Sequence, residues 1–256
     1  MKLVACVKTT PDTTAAVKVE SGKITWGDAP LVINPWDEYA VEAALRLKEA
    51  NGGTVTAISV GGEEARIALK HALAMGADDA LLISDPALGV VDPQSVAHIL
   101  SATLERLGNV DLAFFGRQAI DDDSGTTPAQ VARLLGWPAL TLASVINVNG
   151  NSLRVERAVE EGRQIVTAKL PAVISLVKDF GEPRYPSFMG IRRASKAEIP
   201  IWSLSQIGNP ALSAAVEYLG LMNAPVREVV CEIIMGSNPQ EIAERLVDKV
   251  LGEKLL

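Results

Sequence analysis

Four short apolar runs punctuate the first half of the chain, and the stretches between them carry apolar residues every third or fourth position. The runs are residues 2 to 7, Val55–Val60, Ala80–Ile83 and Leu112–Phe115. Runs without polar alternation suit strands buried on both faces, because neither side-chain direction meets water. After Asn34 the pattern switches to a helix: Asn34 as N-cap, Pro35 at the first position, Asp37 and Glu38 in the first turn, and Val41, Ala44 and Leu45 on one face before Gly52-Gly53. Ala65, Ala68, Leu69, Ala72 and Leu73 form a second helical stripe closed by Gly76, and Asp92-Pro93 opens a third through Val96, Ile99, Leu100, Thr103 and Leu107. Strand and helix thus alternate. That order predicts an α/β fold with a parallel twisted sheet, helices on both faces and a ligand crevice at the strands' C-terminal edge.

The remaining segments read differently. Val17–Val19 and Ile24–Trp26 flank a Gly-containing turn, a hairpin signal. Leu140–Val148, Leu153–Val159 and Gln164–Lys169 read as an antiparallel meander extending one sheet edge. A Pro- and Gly-rich loop over Asp179–Gly190 carries three aromatics. A polar helix start at Ala194–Glu198, a broken apolar stretch over Pro200–Met222, a strand at Val229–Ile234 and a helix capped by Asn238 complete the chain. These features predict an α/β domain over residues 1–190 and a C-terminal arm over 191–256; the broken stretch finds its core on this chain or on another.

Composition narrows the function. The net charge is −7 and no long Lys/Arg run occurs, which argues against nucleic acid or an anionic membrane surface as partner. No apolar run approaches the roughly 18–20 residues of a membrane span, and the start, broken at Lys8, is too short for a secretory core of roughly 7–15 residues. The two cysteines, Cys6 and Cys231, lie in strand-like segments and read as buried free thiols, in keeping with the cytoplasm. With two cysteines and two histidines at no ligand spacing, no metal site is expected.

The stretch Gly116–Pro128 runs from a strand end to a helix start. One reading is an anion site, in which amides of Ser124–Thr127, the small hydroxyls and the helix N-terminus meet a phosphate. The other is a capped loop with solvated acids. No P-loop, no Gly-rich dinucleotide fingerprint and no nucleophile elbow is present, so the chain reads as a binder without catalytic residues. The loop from Arg184 to Gly190 offers an apolar anchor within a charged rim, or an aromatic that folds back into the core.

Taken together, Val7–Thr14, Ile33–Lys48, Ala72–Asp78, Gly116–Asp123 and Val155–Lys196 resemble the beta (small) subunit of electron-transfer flavoproteins, across residues 1 to about 200. The resemblance implies a Rossmann-like, adenine-nucleotide-binding fold and a heterodimer with an alpha subunit that holds most of the FAD. It implies an electron carrier rather than an enzyme. Such a complex takes electrons from flavin-dependent dehydrogenases, as in fatty acid β-oxidation, and passes them to a quinone reductase. The beta subunit's AMP would lie on Cys6, Asn34, Pro35, Trp36, Asp37, Val60, Gly116, Arg117, Gln118, Ala119, Ile120, Asp121, Asp122, Asp123, Ser124, Gly125, Thr126 and Thr127. Partner docking would use Arg184, Tyr185, Phe188, Met189 and Ile191, with Phe188 where the family has Leu.

Two departures bear on the ligand. Pro128 stands where the family commonly has Gly, and Ser124-Gly125-Thr126 replaces a more amide-rich sequence, so the phosphate contacts are rearranged. Pro11–Thr14 is similar to electron-bifurcating relatives with a second FAD in place of AMP, whereas Asp121–Asp123 is similar to the AMP branch. AMP is the expectation. The rival readings are the second FAD, a stand-alone adenine-nucleotide binder of the universal-stress type, and a nucleotide hydrolase using the three acids.

Overall fold

A computed structural model describes residues 1–89, 91–212, 216, 219–225 and 231–253. In chain order the elements are β1 (Lys2–Cys6), β2 (Thr9–Pro11), β3 (Lys18–Glu20), β4 (Lys23–Thr25), β5 (Leu31–Ile33), α1 (Pro35–Asn51), β6 (Thr54–Val60), α2 (Arg66–Met75), β7 (Asp79–Ile83), α3 (Pro93–Leu107), β8 (Leu112–Gly116) and α4 (Thr127–Leu135). There follow β9 (Ala139–Asn149), β10 (Ser152–Val159), β11 (Gly162–Lys169), β12 (Ala172–Leu176), α5 (Phe188–Lys196), β13 (Ile201–Trp202) and α6 (Pro239–Gly252). Nine strands form one sheet in the order β11-β10-β9-β12-β8-β1-β6-β7-β13. From β9 to β13 every neighbouring pair is parallel, and only β9-β10-β11 is antiparallel. The chain has the expected α/β fold.

Period-two geometry sends the apolar runs to both faces. Leu3, Ala5 and Val7 enter one layer, while Val4 and Cys6 enter the other. Helices α1 and α2 cover the first layer with α5 packed on α2, and α3 and α4 cover the second. Phe114, Leu3, Ile58, Leu82 and Ile174 are fully buried, each stabilising the fold by about 1.5–3 kcal/mol.

The meander extends the sheet edge as its alternation predicts, but β12 inserts between β9 and β8, parallel to both. All five β12 residues are buried, which suits an interior place, whereas β9 mixes buried and exposed positions. The helix expected at Ala194–Glu198 instead spans Phe188–Lys196. Its start is set by Ser187, whose Oγ accepts the Gly190 N–H at 3.0 Å. The aromatics around that cap give the segment the look of a loop.

The chain divides into two units, Met1–Leu221 and Met222–Leu256. Residues 191–207 belong to the first, where β13 pairs with β7. In the second unit Asn238 caps α6 by accepting the Glu241 N–H at 3.0 Å, as predicted. Of the strand expected at Val229–Ile234, Val229 and Val230 lie outside the described residues, and Cys231–Ile234 forms no strand. No partner strand for it occurs among the described residues of that unit, and an unpaired strand leaves its backbone groups to water. Cys231 is accordingly exposed, not buried, while Cys6 is buried as expected.

Gly190 sits where α5 meets α2, and a Cβ there would lie 2.2 Å from the Ala74 carbonyl oxygen. Gly190→Ala should push the two helices apart at a cost of about 1–3 kcal/mol. Thermal unfolding should show a lowered midpoint, and an unchanged midpoint would refute this packing.

Candidate functional site

The loops after β1, β6 and β8 leave a cleft of about 240 Å³ at the strands' C-terminal edge, just under the range of roughly 300–1,000 Å³ usual for small-molecule sites. Its apolar wall comes from Ile58, Val60, Val96, Leu100 and Phe115. Its polar side comes from Lys8, Asn34, Asp37, Gln118, Asp122, Ser124 and Thr127. The first α1 turn forms one wall of the cleft and the start of α4 another.

Asn34 begins α1 as expected yet makes no side-chain cap. Its Nδ2 donates to the Gln118 carbonyl at 2.9 Å and its Oδ1 accepts the Ile120 N–H at 3.3 Å, so it ties the acidic loop to the helix start. Asp37 is buried. Its Oδ2 accepts the Lys8 N–H at 2.8 Å and its Oδ1 accepts the Gly116 N–H at 3.2 Å. Burial pushes its carboxyl up to about 7, against the opposing pull of those amides, Asn34 and the Lys8 charge. Burial, and then the Asp37 charge, raises the Cys6 thiol well above its ordinary value, which leaves it unreactive.

The three acids of this loop are each engaged. Lys8 Nζ lies 2.7 Å from Asp121 Oδ1 and 3.6 Å from Asp122 Oδ2, Asp122 also accepts the Ser124 N–H at 3.1 Å, and Gln118 donates to Asp123. The Ser124 amide is therefore already paired within the loop. The first turn of α4 differs, because Thr126 at its N-cap position makes no capping bond and Pro128 has no N–H to satisfy. Gly125 adopts φ +57° there, a conformation that favours glycine.

Of the sequence-predicted residues, Cys6, Asn34, Asp37, Val60, Gln118, Ala119, Asp122, Ser124, Gly125 and Thr127 line the cleft. Trp36, Gly116 and Arg117 stand behind the lining, with the Arg117 guanidinium 5.7 Å from the Trp36 ring centre and Gly116 packed against Trp36. Pro35, Ile120, Asp121, Asp123 and Thr126 shape the loop and helix ends without lining it. Sequence reading missed Val7, Lys8, Ile58, Ser59, Val91 and Phe115, and the α3 residues Pro93, Val96 and Leu100. Lys8 was findable as the first charged residue beyond the β1 end. The α3 contribution was not, since those side chains look like ordinary helix core.

A second surface lies at the start of α5. Tyr185 is 94% exposed and Phe188 79%, with Met189 and Ile191 also exposed, so Phe188 does not fold back into the core. Arg184 is not part of this open surface, because its guanidinium is paired with Glu42 and Glu49 of α1. Arg193 likewise turns inward, donating to the Leu73 carbonyl at 3.1 Å at the C-terminal end of α2.

A family model for the electron transfer flavoprotein domain matches residues 24–207. The chain is 34% identical to an electron transfer flavoprotein subunit beta of Megasphaera elsdenii, with all of both chains covered. It is 38% identical to the protein of that name from Bradyrhizobium diazoefficiens, over 99% of this chain and 98% of the other. It is also 35% identical to the caffeyl-CoA reductase-Etf complex subunit CarD of Acetobacterium woodii over the whole of both chains.

Asp37 makes stability depend on pH. Unfolded, its carboxyl ionises near its ordinary value of 3.8, while the folded protein holds the proton to about 7. The folded state binds more protons across that window, so stability falls as pH rises from about 4 to about 7. Asp37→Asn should flatten that fall in denaturant titrations across the window, and an identical slope would refute it. Gly116→Ala would set a Cβ 2.5 Å from Asp37 Oδ1; it should destabilise the fold by about 1–3 kcal/mol, read as a lowered denaturation midpoint.

Proposed function

The chain belongs to the electron transfer flavoprotein family, in its beta-subunit branch, and from that premise we propose that it is the small subunit of a heterodimer whose alpha subunit carries FAD. The complex takes electrons from flavin-dependent dehydrogenases, with fatty acid β-oxidation as the setting, and passes them to a quinone reductase in the cytoplasm. Among the described residues no helix is long and apolar enough to cross a membrane. The flavin of the partner subunit supplies the redox chemistry. This chain's share is to bind, orient and exclude water, for which no acid or base of its own is needed.

The cleft at the strand ends carries the reading. An adenine mononucleotide fits the donor set: apolar Ile58, Val96, Leu100 and Phe115 for the base, and Lys8, the Ser124 and Thr127 hydroxyls and the uncapped first turn of α4 for the phosphate. AMP there acts as a structural ligand, adding about 2.7 kcal/mol of stability at a hundredfold excess over Kd. Of the arm expected over residues 191–256, the second unit, Met222–Leu256, is the part that packs on the alpha subunit, consistent with the exposed Leu246, Val247 and Leu251 of α6. Tyr185, Phe188, Met189 and Ile191 dock the dehydrogenase, four apolar side chains that this chain leaves in water.

Co-expression with the alpha subunit, denaturation and chromatography of the released nucleotides test the site. One FAD and one AMP per heterodimer is the expected result. Two FAD and no AMP would replace the AMP reading with a second flavin, and no flavin would overturn the proposal. Phe188→Ala should leave flavin content intact and weaken electron transfer from the dehydrogenase. Unchanged transfer kinetics would sink the docking assignment.

A further inference from the structure

The exposed apolar side chains stand on a segment with little core of its own. Tyr185 is almost wholly in water and α5 buries a single residue, Ala194. What holds the preceding loop is a reciprocal clamp with α1. Arg46 reaches out from the helix: its Nη1 donates to the Phe180 carbonyl at 3.3 Å, its Nη2 to the Glu182 carbonyl at 3.0 Å, and its guanidinium lies 5.2 Å from the Phe180 ring centre. Arg184 reaches back from the loop. Its Nε donates to Glu42 Oε2 at 2.7 Å and its Nη1 to Glu49 Oε1 at 2.5 Å, while its own backbone N–H donates to Glu42 Oε2 at 3.1 Å.

Surface ion pairs are usually worth little, but this one is neither isolated nor fully exposed. Glu42 is 3% exposed and accepts from both arginines. Burial pushes its carboxyl up, yet the hydrogen bonds from Arg184 and Arg46 outweigh that and leave it below its ordinary value. Bonds to Glu49 and then Glu42 raise Arg184 further. Two planar forks, one from each side, define position and direction in a way that a lysine's point charge does not.

Resting on the docking function proposed above, we propose that Arg184 is a positioning residue, held by Glu42 and Glu49 so that Tyr185, Phe188, Met189 and Ile191 are presented to the flavin dehydrogenase in a ready-made pose. The clamp orders the loop before the partner arrives, so the ordering cost is not charged against association. Arg184 does not line the cleft at the strand ends. Its loss changes how often the two proteins meet productively and leaves the transfer step within the complex unaltered.

The test uses the heterodimer and an acyl-CoA dehydrogenase that reduces it, comparing Arg184→Lys, Glu49→Ala and Phe188→Ala. Arg184→Lys and Glu49→Ala should raise the heterodimer concentration giving half-maximal rate roughly two- to tenfold, the loss expected when about one ordered side chain must be re-ordered on binding. The rate at saturation, flavin content and nucleotide content should stay as in the wild type. Amides of residues 180–191 should exchange hydrogen faster in both variants, with other segments unchanged. If Phe188→Ala raises the half-saturation concentration while Arg184→Lys leaves both it and the exchange unchanged, the positioning role is overturned and docking stands. If Phe188→Ala also has no effect, docking itself fails. A fall in the saturated rate or in flavin content in Arg184→Lys would overturn the proposal in favour of a general structural role.

Discussion

A buried carboxylate governs the functional end of this molecule. Asp37 sits where β1 and β8 end and α1 begins, and its two oxygens take one backbone N–H from each strand's terminus. Parallel strands end with amides that no neighbour satisfies, and an unpaired buried amide costs about 1–3 kcal/mol. Placing a carboxylate there satisfies two at once, at the expense of desolvating a charge. Much of the surrounding sequence follows: position 116 admits no side chain because Asp37 and Trp36 fill the space, and Lys8 is left to face Asp121 and Asp122.

Two surfaces depend on the same helix. The first turn of α1 holds the cleft through Asn34 and Asp37, and its later turns hold the loop before α5 through Glu42, Arg46 and Glu49. At 17 residues α1 is about 25 Å long, so the cleft at the strand ends and the apolar surface are set by one rigid element rather than by separate loops. That economy explains why a helix face that would ordinarily be solvated carries a buried glutamate. The second unit contributes a well-capped helix with an apolar stripe, the kind of surface a partner subunit covers.

Much of this was legible from residue order. Unbroken apolar runs mark strands covered on both sides, and Pro35, Pro93, Asn34 and Asp92 mark helix starts, because burial and capping act over a few residues. The cleft's place at the strand ends followed from the alternation of elements alone. Other features were decided by tertiary structure. The insertion of β12 between β8 and β9 depends on which strand can be buried on both faces, a property of neighbours rather than of the strand. Asn34 looked like a cap and became a tie to the Gln118 loop, since a side chain that can bond its own helix can equally bond a loop folded beside it. The role of Arg184 lies furthest from the sequence: 142 positions separate it from Glu42, and a charge expected among the docking residues became the clamp that holds their loop. Local order determines which segments are strands and helices, because propensity, capping and periodicity are short-range. Which polar groups meet, and therefore which are buried, paired or free, is set by contacts between distant segments that only the folded chain brings together.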